Sequence, residues 1–289
     1  MSTNKRQHHI EVEKPDTSIV DIVCNAESLS RVQAKRVMHK GAVWLTKDNY
    51  TQRVRRADKR LEVGNSVHIY YDESVLDIKP NPAALITDKT SYSIWYKPYG
   101  MLSQGSKWGD HCTLGRWVET HIEPQRPAFI VHRLDRAASG LMLIAHSKKI
   151  AAALSDQFQT RKVEKHYRAL VKGNIETPIT FDQDIDAQSA LTHVAPIMHS
   201  NNTDTSLLEV DIKTGRKHQI RKHLSQANFP ILGDRLYDPN VRDEDPDLCL
   251  VACFLAFDCP LSQERRVFHL PESLTPSFAS VSTLHSSNK

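Results

Sequence analysis

The chain is 289 residues long, 39% hydrophobic and 25% charged, with a formal net charge of +4. That length can bury a real core in one large domain or two unequal ones, and the composition excludes a disordered or fibrous chain. The charge is uneven: residues 31–60 hold ten lysines and arginines against two aspartates, a local +8 that leaves the remainder net acidic.

Residues 1–16, MSTNKRQHHIEVEKPD, read as an N-terminal tail without the apolar core of a signal peptide, so cytoplasmic residence is the expectation. A helix is predicted in SLSRVQAKRVMHKG: serine supplies capping oxygens, Leu29, Val32, Val37 and Met38 can face inward, and Gly41 can end it. Arg31 and Lys35 are four apart, as are Arg36 and Lys40, so cations ridge its other faces. AVWL, the basic connection TQRVRRADKR and LEVGNSVHIYY follow, with Val67, Ile69 and Tyr71 alternating as in a half-buried strand. So many cations repel one another without an anionic partner, which points to a polyanion; the plainer alternative is a solvated face. The pattern SRxxAKRxxxxGxVWL followed by LEVGNSVHIYY, within Thr17 to Asp72, resembles the alpha-L RNA-binding fold of a ribosomal protein. The resemblance implies an RNA-binding domain over 17–75, with Arg31, Lys35, Arg36 and Lys40 as its contacts.

Residues 76–90 carry two prolines and little periodicity and read as a linker. From residue 91, short apolar runs recur between turn signals (SIWYKP, AFIVHRL, LMLIAH, HYRALVKG, SLLEVDI), with one helix predicted in SKKIAAALSDQFQ and another in KHQIRKHLSQ. Many strands with few helices predict an α+β domain over 91–275, on a mixed, largely antiparallel sheet. The longest apolar run, LCLVACFLAF at 248–257, is about half the ~20 residues of a membrane span and reads as a buried strand. Residues 276–289, rich in serine and threonine, read as a C-terminal tail. The five cysteines form no CxxC pair and read as reduced thiols, and the histidines show no zinc spacing, so no metal site is expected.

Three stretches carry chemistry. In IVHRLDRAASGLMLIAHS, Asp135 lies in a loop between two strand-like runs; the flanking Arg133 and Arg136 favour its ionised form and attract phosphate. A lone aspartate is ordinarily a turn or cap residue, so the neighbours carry the weight. In TGRKHQIRKHL, Arg216, Lys217, Arg221 and Lys222 form a second cationic element, and a helix there sets His218, Arg221 and Lys222 on one face. In KHYRALVKG, Tyr167 opens a buried run, as a core tyrosine or as a ring that stacks on a base.

Together HRLDRAASGL, KHYRALVKG and TGRKHQIRKHLSQANFPILGDRLY, in order, resemble the RluA-type pseudouridine synthases, which isomerise uridine in RNA and often carry an alpha-L domain in front. The resemblance implies Asp135 as the catalytic aspartate, Tyr167 as the active-site tyrosine, Arg221 as its basic partner and Arg133 as the residue that fills the gap left by a flipped base. Arg136, Arg216 and Lys217 complete the expected RNA contacts. Ala138 and Val251 depart from the family pattern, where threonine and histidine are usual. A single placed acid argues against hydrolysis, which needs two carboxylates and a water. Nothing is oxidised or imported in such an isomerisation, so no cofactor is expected, and RNA is the partner of an expected monomer. Ribosomal RNA is slightly preferred over transfer RNA as the target. The competing class is a noncatalytic RNA-binding protein on the same scaffold.

Overall fold

The computed structural model describes residues 5–276. The expectation for 276–289 lies almost wholly outside them. The chain divides into two units, one of residues 1–80 with 104–121 and one of residues 81–103 with the segment from 122 onward.

In the first unit, strand β1 (Lys5–Glu11), β2 (Thr17–Ser18), helices α1 (Ile19–Glu27) and α2 (Arg31–His39), β3 (Val43–Lys47), β4 (Tyr50–Arg53), β5 (Arg60–Leu61), β6 (Ser66–Asp72) and α3 (Glu73–Leu76) follow in order. Helix α4 (Leu114–His121) returns to it from later in the chain. Four strands form an antiparallel sheet in the order β1-β6-β3-β4, and β2 pairs with β5. The core joins Ile19, Val20 and Val23 of α1 and Ala34, Val37 and Met38 of α2 to Val43, Leu45, Val67 and Ile69 of the sheet.

Helix α2 forms where its caps dictate. Ser30 and Gln33 make a reciprocal capping box. At the other end Gly41, at φ 82°, lets Ala42 N–H donate to Val37 and Gly41 N–H to Met38, which terminates the helix. Val32 is 78% exposed, against the inward placement expected from the sequence, and Ala34 takes the buried position.

The N-terminal stretch is a strand from Lys5 onward rather than a tail. Its apolar content is low, so the sequence carries little signal; Arg6 and His8 reach the buried Glu27 of α1 at 2.7 and 2.8 Å, and that pairing fixes the strand. Helix α1 is rich in β-branched residues, which are weak helix formers, and burial decides its state. Residues 104–121, placed by the sequence inside 91–275, pack with the first unit: Asp110 accepts from Arg55 at 2.6 Å and pairs with Arg53 at 3.3 Å, and Trp44 Nε1 donates to Lys107 O at 3.1 Å.

The second unit contains β7 (Ala84–Asp88), β8 (Tyr92–Lys97), β9 (Phe129–Ile130), β10 (Ser139–Ala145), α5 (Lys148–Gln159), β11 (Glu164–Lys172), β12 (Ile179–Phe181), β13 (Thr192–Ser200), β14 (Thr205–Ile212), α6 (Gln219–Gln226), β15 (Leu250–Asp258) and β16 (Arg265–His269). Its mixed ten-stranded sheet runs β12-β13-β14-β11-β15-β10-β8-β7, with β16 on β15 and β9 on β10, and the β10–β15 pair is the parallel one. Strand β7 lies within the expected linker: it pairs antiparallel with β8, so that stretch is an edge strand with a register irregularity, which weakens its alternation. The sheet packs against α5 through Leu141, Leu143, Ile150, Leu154, Leu255 and Phe257. No helix among the described residues is long and apolar enough to cross a membrane.

Candidate active site

Asp135 sits in the loop between β9 and β10, its side chain 27% exposed. Ser103 holds that loop from both directions: its hydroxyl donates to Leu134 O at 2.7 Å and accepts from Leu134 N–H at 3.1 Å. Gly100 N–H donates to Arg136 O at 2.9 Å, and Arg136 Nε returns a bond to Gly100 O at 3.2 Å. The residues on either side of Asp135 are thereby pinned while its carboxylate stays open.

Below the loop lies Lys97, fully buried at the end of β8. Its Nζ donates to Met101 O at 2.9 Å, Pro98 O at 3.1 Å and Arg136 O at 3.4 Å. Burial pulls its pKa down to about 7, while the negative charge of Asp135 opposes the fall. Three carbonyl acceptors match the three donors of the ammonium form, so we assign that form.

His132 anchors the start of the loop. Its ring stacks on Phe158 at 4.4 Å, and Nε2 accepts from Leu143 N–H at 2.9 Å, which requires the neutral ring with its proton on Nδ1. Desolvation lowers its pKa to about 3, and Lys165 adds to the effect.

The third motif supplies the other wall. His218 is not within α6: it caps the helix in the left-handed region at φ 56°, and Arg221 follows in the first turn. The sequence set both on one helical face; the cap places His218 Nε2 3.8 Å from Asp135 Oδ1 and Arg221 Nη1 4.0 Å from Asp135 Oδ2. His218 is tied at Nδ1 to the Tyr237 hydroxyl at 2.8 Å. Desolvation lowers its pKa, Asp135 opposes the shift, and Arg221 reinforces it.

Arg221 is 5% exposed, and its main partner is Asp234, at 2.8 Å through Nε and 2.6 Å through Nη2, not Asp135. Asp234, 1% exposed, also accepts from Leu236 and Tyr237 N–H at 3.0 and 3.1 Å. The bidentate fork fixes the guanidinium plane and leaves Nη1 for Asp135. Burial opposes its charge, but the bond and charge of Asp234, followed by Asp135, raise its pKa. The guanidinium also lies 5.0 Å from the Tyr237 ring centre.

Tyr167 is buried on β11 at a register shift against β15. Burial first, and the Asp135 charge second, push its pKa well above the ordinary tyrosine value, so the phenol stays protonated. Of the cations expected to contact RNA, Arg133 and Lys217 are exposed, Arg136 bonds its own loop, and half-buried Arg216 donates to Ser189 O at 2.9 Å. On α2, Arg31 pairs with Asp21 and Arg36 with Asp77 at 3.0 Å, Lys35 is exposed, and Lys40 donates to Leu76 O.

Lys97, Ser103, Asp234 and Tyr237 were not named as site residues from the sequence. Asp234 and Tyr237 stand inside the quoted GDRLY stretch, so a signal existed there. Lys97 and Ser103 have none, because they act on the loop from more than thirty residues away.

The family description "RNA pseudouridylate synthase" matches residues 91–226. An RNA pseudouridine synthase of Aquifex aeolicus is 31% identical, covering 85% of this chain and 87% of its own. The tRNA pseudouridine synthase C of Haemophilus ducreyi is 36% identical over 49% of this chain and 68% of its own, and the ribosomal large subunit pseudouridine synthase D of Borreliella burgdorferi is 33% identical over 60% and 61%. The solved structure of human RNA pseudouridylate synthase domain containing 1 shares the fold at a TM-score of 0.58, with 21% identity over 72% of this chain and 98% of its own. The chain belongs to the RluA-type family of RNA pseudouridine synthases and is an isomerase that converts uridine to pseudouridine in RNA.

Proposed function

We propose that Asp135 acts on the target uridine, that Tyr167 packs against the uracil, and that Arg221, held by Asp234, keeps the carboxylate aimed. The observation that carries this reading is the open Asp135 carboxylate set 3.8 Å from His218 and 4.0 Å from Arg221 in a loop pinned on both sides. The reaction breaks the bond from ribose C1′ to uracil N1, turns the base, joins C1′ to C5, releases the C5 proton and leaves N1 carrying a proton taken from solvent, so the product is an isomer of the uridine. Positive charge develops at the ribose as the first bond breaks, and a carboxylate can stabilise or attack it. The protonated phenol of Tyr167 adds no second negative charge beside Asp135.

A stacked uracil cannot make that turn, so it leaves the helix at a cost of about a few kcal/mol. Exposed Arg133 is suited to fill the gap, with Arg136, Arg216 and Lys217 near the flanking phosphates. In the first unit, Arg31, Lys35, Arg36 and Lys40 are the proposed contacts. The Arg31 and Arg36 pairs lie on the surface, where such pairs contribute about 0–1 kcal/mol, so phosphates can replace the aspartates. Lys40 is the weakest member, because burial lowers its pKa and its ammonium already serves a carbonyl.

The RNA is ribosomal in this reading, and the enzyme works as a cytoplasmic monomer. Support comes from the first unit's resemblance to a ribosomal RNA-binding fold and from the longer span of similarity to the large-subunit synthase than to the transfer-RNA synthase. Tritium release from 5-tritiated uridine in separate ribosomal and transfer RNA pools tests it. Release from ribosomal RNA by wild type and none by Asp135→Asn is expected; release from transfer RNA alone would sink the ribosomal assignment.

A further inference from the structure

Strands β1, β6, β3 and β4 turn Val67, Ile69, Val43 and Leu45 toward α1 and α2. The alternate residues face the other way. The register sets His9 opposite His68, Gln7 opposite Tyr70, and Trp44 opposite both His68 and Arg53. Trp108, from the segment that returns to this unit, stands 5.7 Å from Tyr70. Trp44, Tyr70 and Trp108 are only half-buried.

Cations accompany each ring. Lys107 Nζ lies 4.7 Å from the Tyr70 centre and 5.3 Å from Trp108, Lys5 Nζ lies 5.7 Å from Trp108, and Arg53 lies 4.2 Å from Trp44. The acids here are Asp72, whose side chain is buried and pairs with Lys5 at 3.4 Å, Asp110, which pairs with Arg53 at 3.3 Å, and Glu11 at the far end of β1. A purely apolar partner would have to desolvate these ammonium groups, whereas an anionic polymer with flat apolar units meets both features.

We propose that this sheet face is a stacking platform for unpaired bases of the RNA substrate, with Lys5 and Lys107 carrying the phosphates between them. The proposal rests on RNA being the substrate, and it adds a surface distinct from the basic helix α2. Every nucleobase offers a π face, so aromatic side chains bind single strands without regard to sequence. Lys107 is exposed and its Nζ donates to Gln7 Oε1 at 3.2 Å on the surface, so a base that takes its place over Tyr70 exchanges that bond for one to a phosphate. Arg53 serves differently: it donates to Gly41 O at 2.9 Å and pairs with Asp110, so it braces Trp44.

The test uses the full chain and a fluorescent oligoadenylate, which has no uridine for the catalytic pocket. Tyr70→Leu and Trp108→Leu are each expected to weaken binding roughly 5- to 150-fold, the span of one base–aromatic stack. Lys5→Gln with Lys107→Gln is expected to flatten the salt dependence by about 0.7 in log–log slope for each phosphate no longer bound. Asp135→Asn is expected to bind as wild type. Unchanged affinity in folded ring variants overturns the platform; if those variants do not fold, an unchanged salt slope in the lysine variant overturns it. A loss confined to Lys35→Gln on α2 also rejects the platform, yet leaves RNA binding by this unit standing. If wild type ignores oligoadenylate but still releases tritium from its RNA, the platform fails and the isomerase reading survives.

Discussion

Asp135 can be read from a short segment because Arg133 and Arg136 flank it in the chain, whereas the groups that face its carboxylate, His218 Nε2 at 3.8 Å and Arg221 Nη1 at 4.0 Å, come from a second motif. Its loss in Asp135→Asn is expected to lower isomerisation on the order of 10⁴-fold with RNA affinity retained, as single-turnover kinetics beside binding titrations would show. The partner residues need the fold. Asp234→Asn leaves the buried Arg221 charge with Asp135 alone at 4.0 Å; breaking such a pair costs about 3–5 kcal/mol, to be read by denaturant unfolding, and kcat should fall with it. Restored stability in a double variant with Arg221→Met is expected, since it removes the orphaned charge. His132 gives a pH signature. Its folded pKa, about 3, lies below the ~6.5 of an unfolded histidine, so stability is full above about pH 6.5 and falls as pH drops toward 3, when only the unfolded state takes the proton. Thermal midpoints across that window should decline less steeply in His132→Gln than in wild type.

Among the elements, the loop–strand junction after Asp135 is the most constrained. Gly140 sits at φ 117°, and a Cβ there would meet Ala252 O at 2.3 Å and Ala252 N at 2.5 Å, both backbone atoms across the parallel β10–β15 pair. Gly140→Ala is therefore expected to destabilise the second unit by about 1–3 kcal/mol or more and to lower kcat, because the same strands set the end of the Asp135 loop; equilibrium unfolding and turnover check both. Periodicity made α2, α5, β6 and β15 legible, since each buries one face or lies wholly inside. It could not reveal β1, whose inward face sets Arg6 and His8, paired to Glu27, beside a single apolar residue, Ile10, nor β7, whose register slips.

For the whole molecule, charge and partner choice follow from how distant segments meet. The ten cations of residues 31–60 read as one basic patch, but Arg53 and Arg55 are committed to Asp110 and Lys40 to a backbone carbonyl, which leaves fewer for phosphate. Replacing Arg31, Lys35 and Arg36 by glutamine should weaken RNA binding and reduce the salt slope by at most about 0.9 for each phosphate released; a slope equal to wild type would remove α2 from the interface. By itself the sequence determined the family, the strand-rich sheet and the loop that carries Asp135, because those depend on short motifs and on a period of two or 3.6 residues. Only the tertiary structure decided that Asp234 grips Arg221, that His218 caps a helix beside Asp135, that Lys97 and Ser103 hold the loop, and that residues 104–121 join the first unit. Such contacts link positions far apart in the chain, and a buried charge or a hydroxyl under a loop leaves no periodic trace in the segment that supplies it.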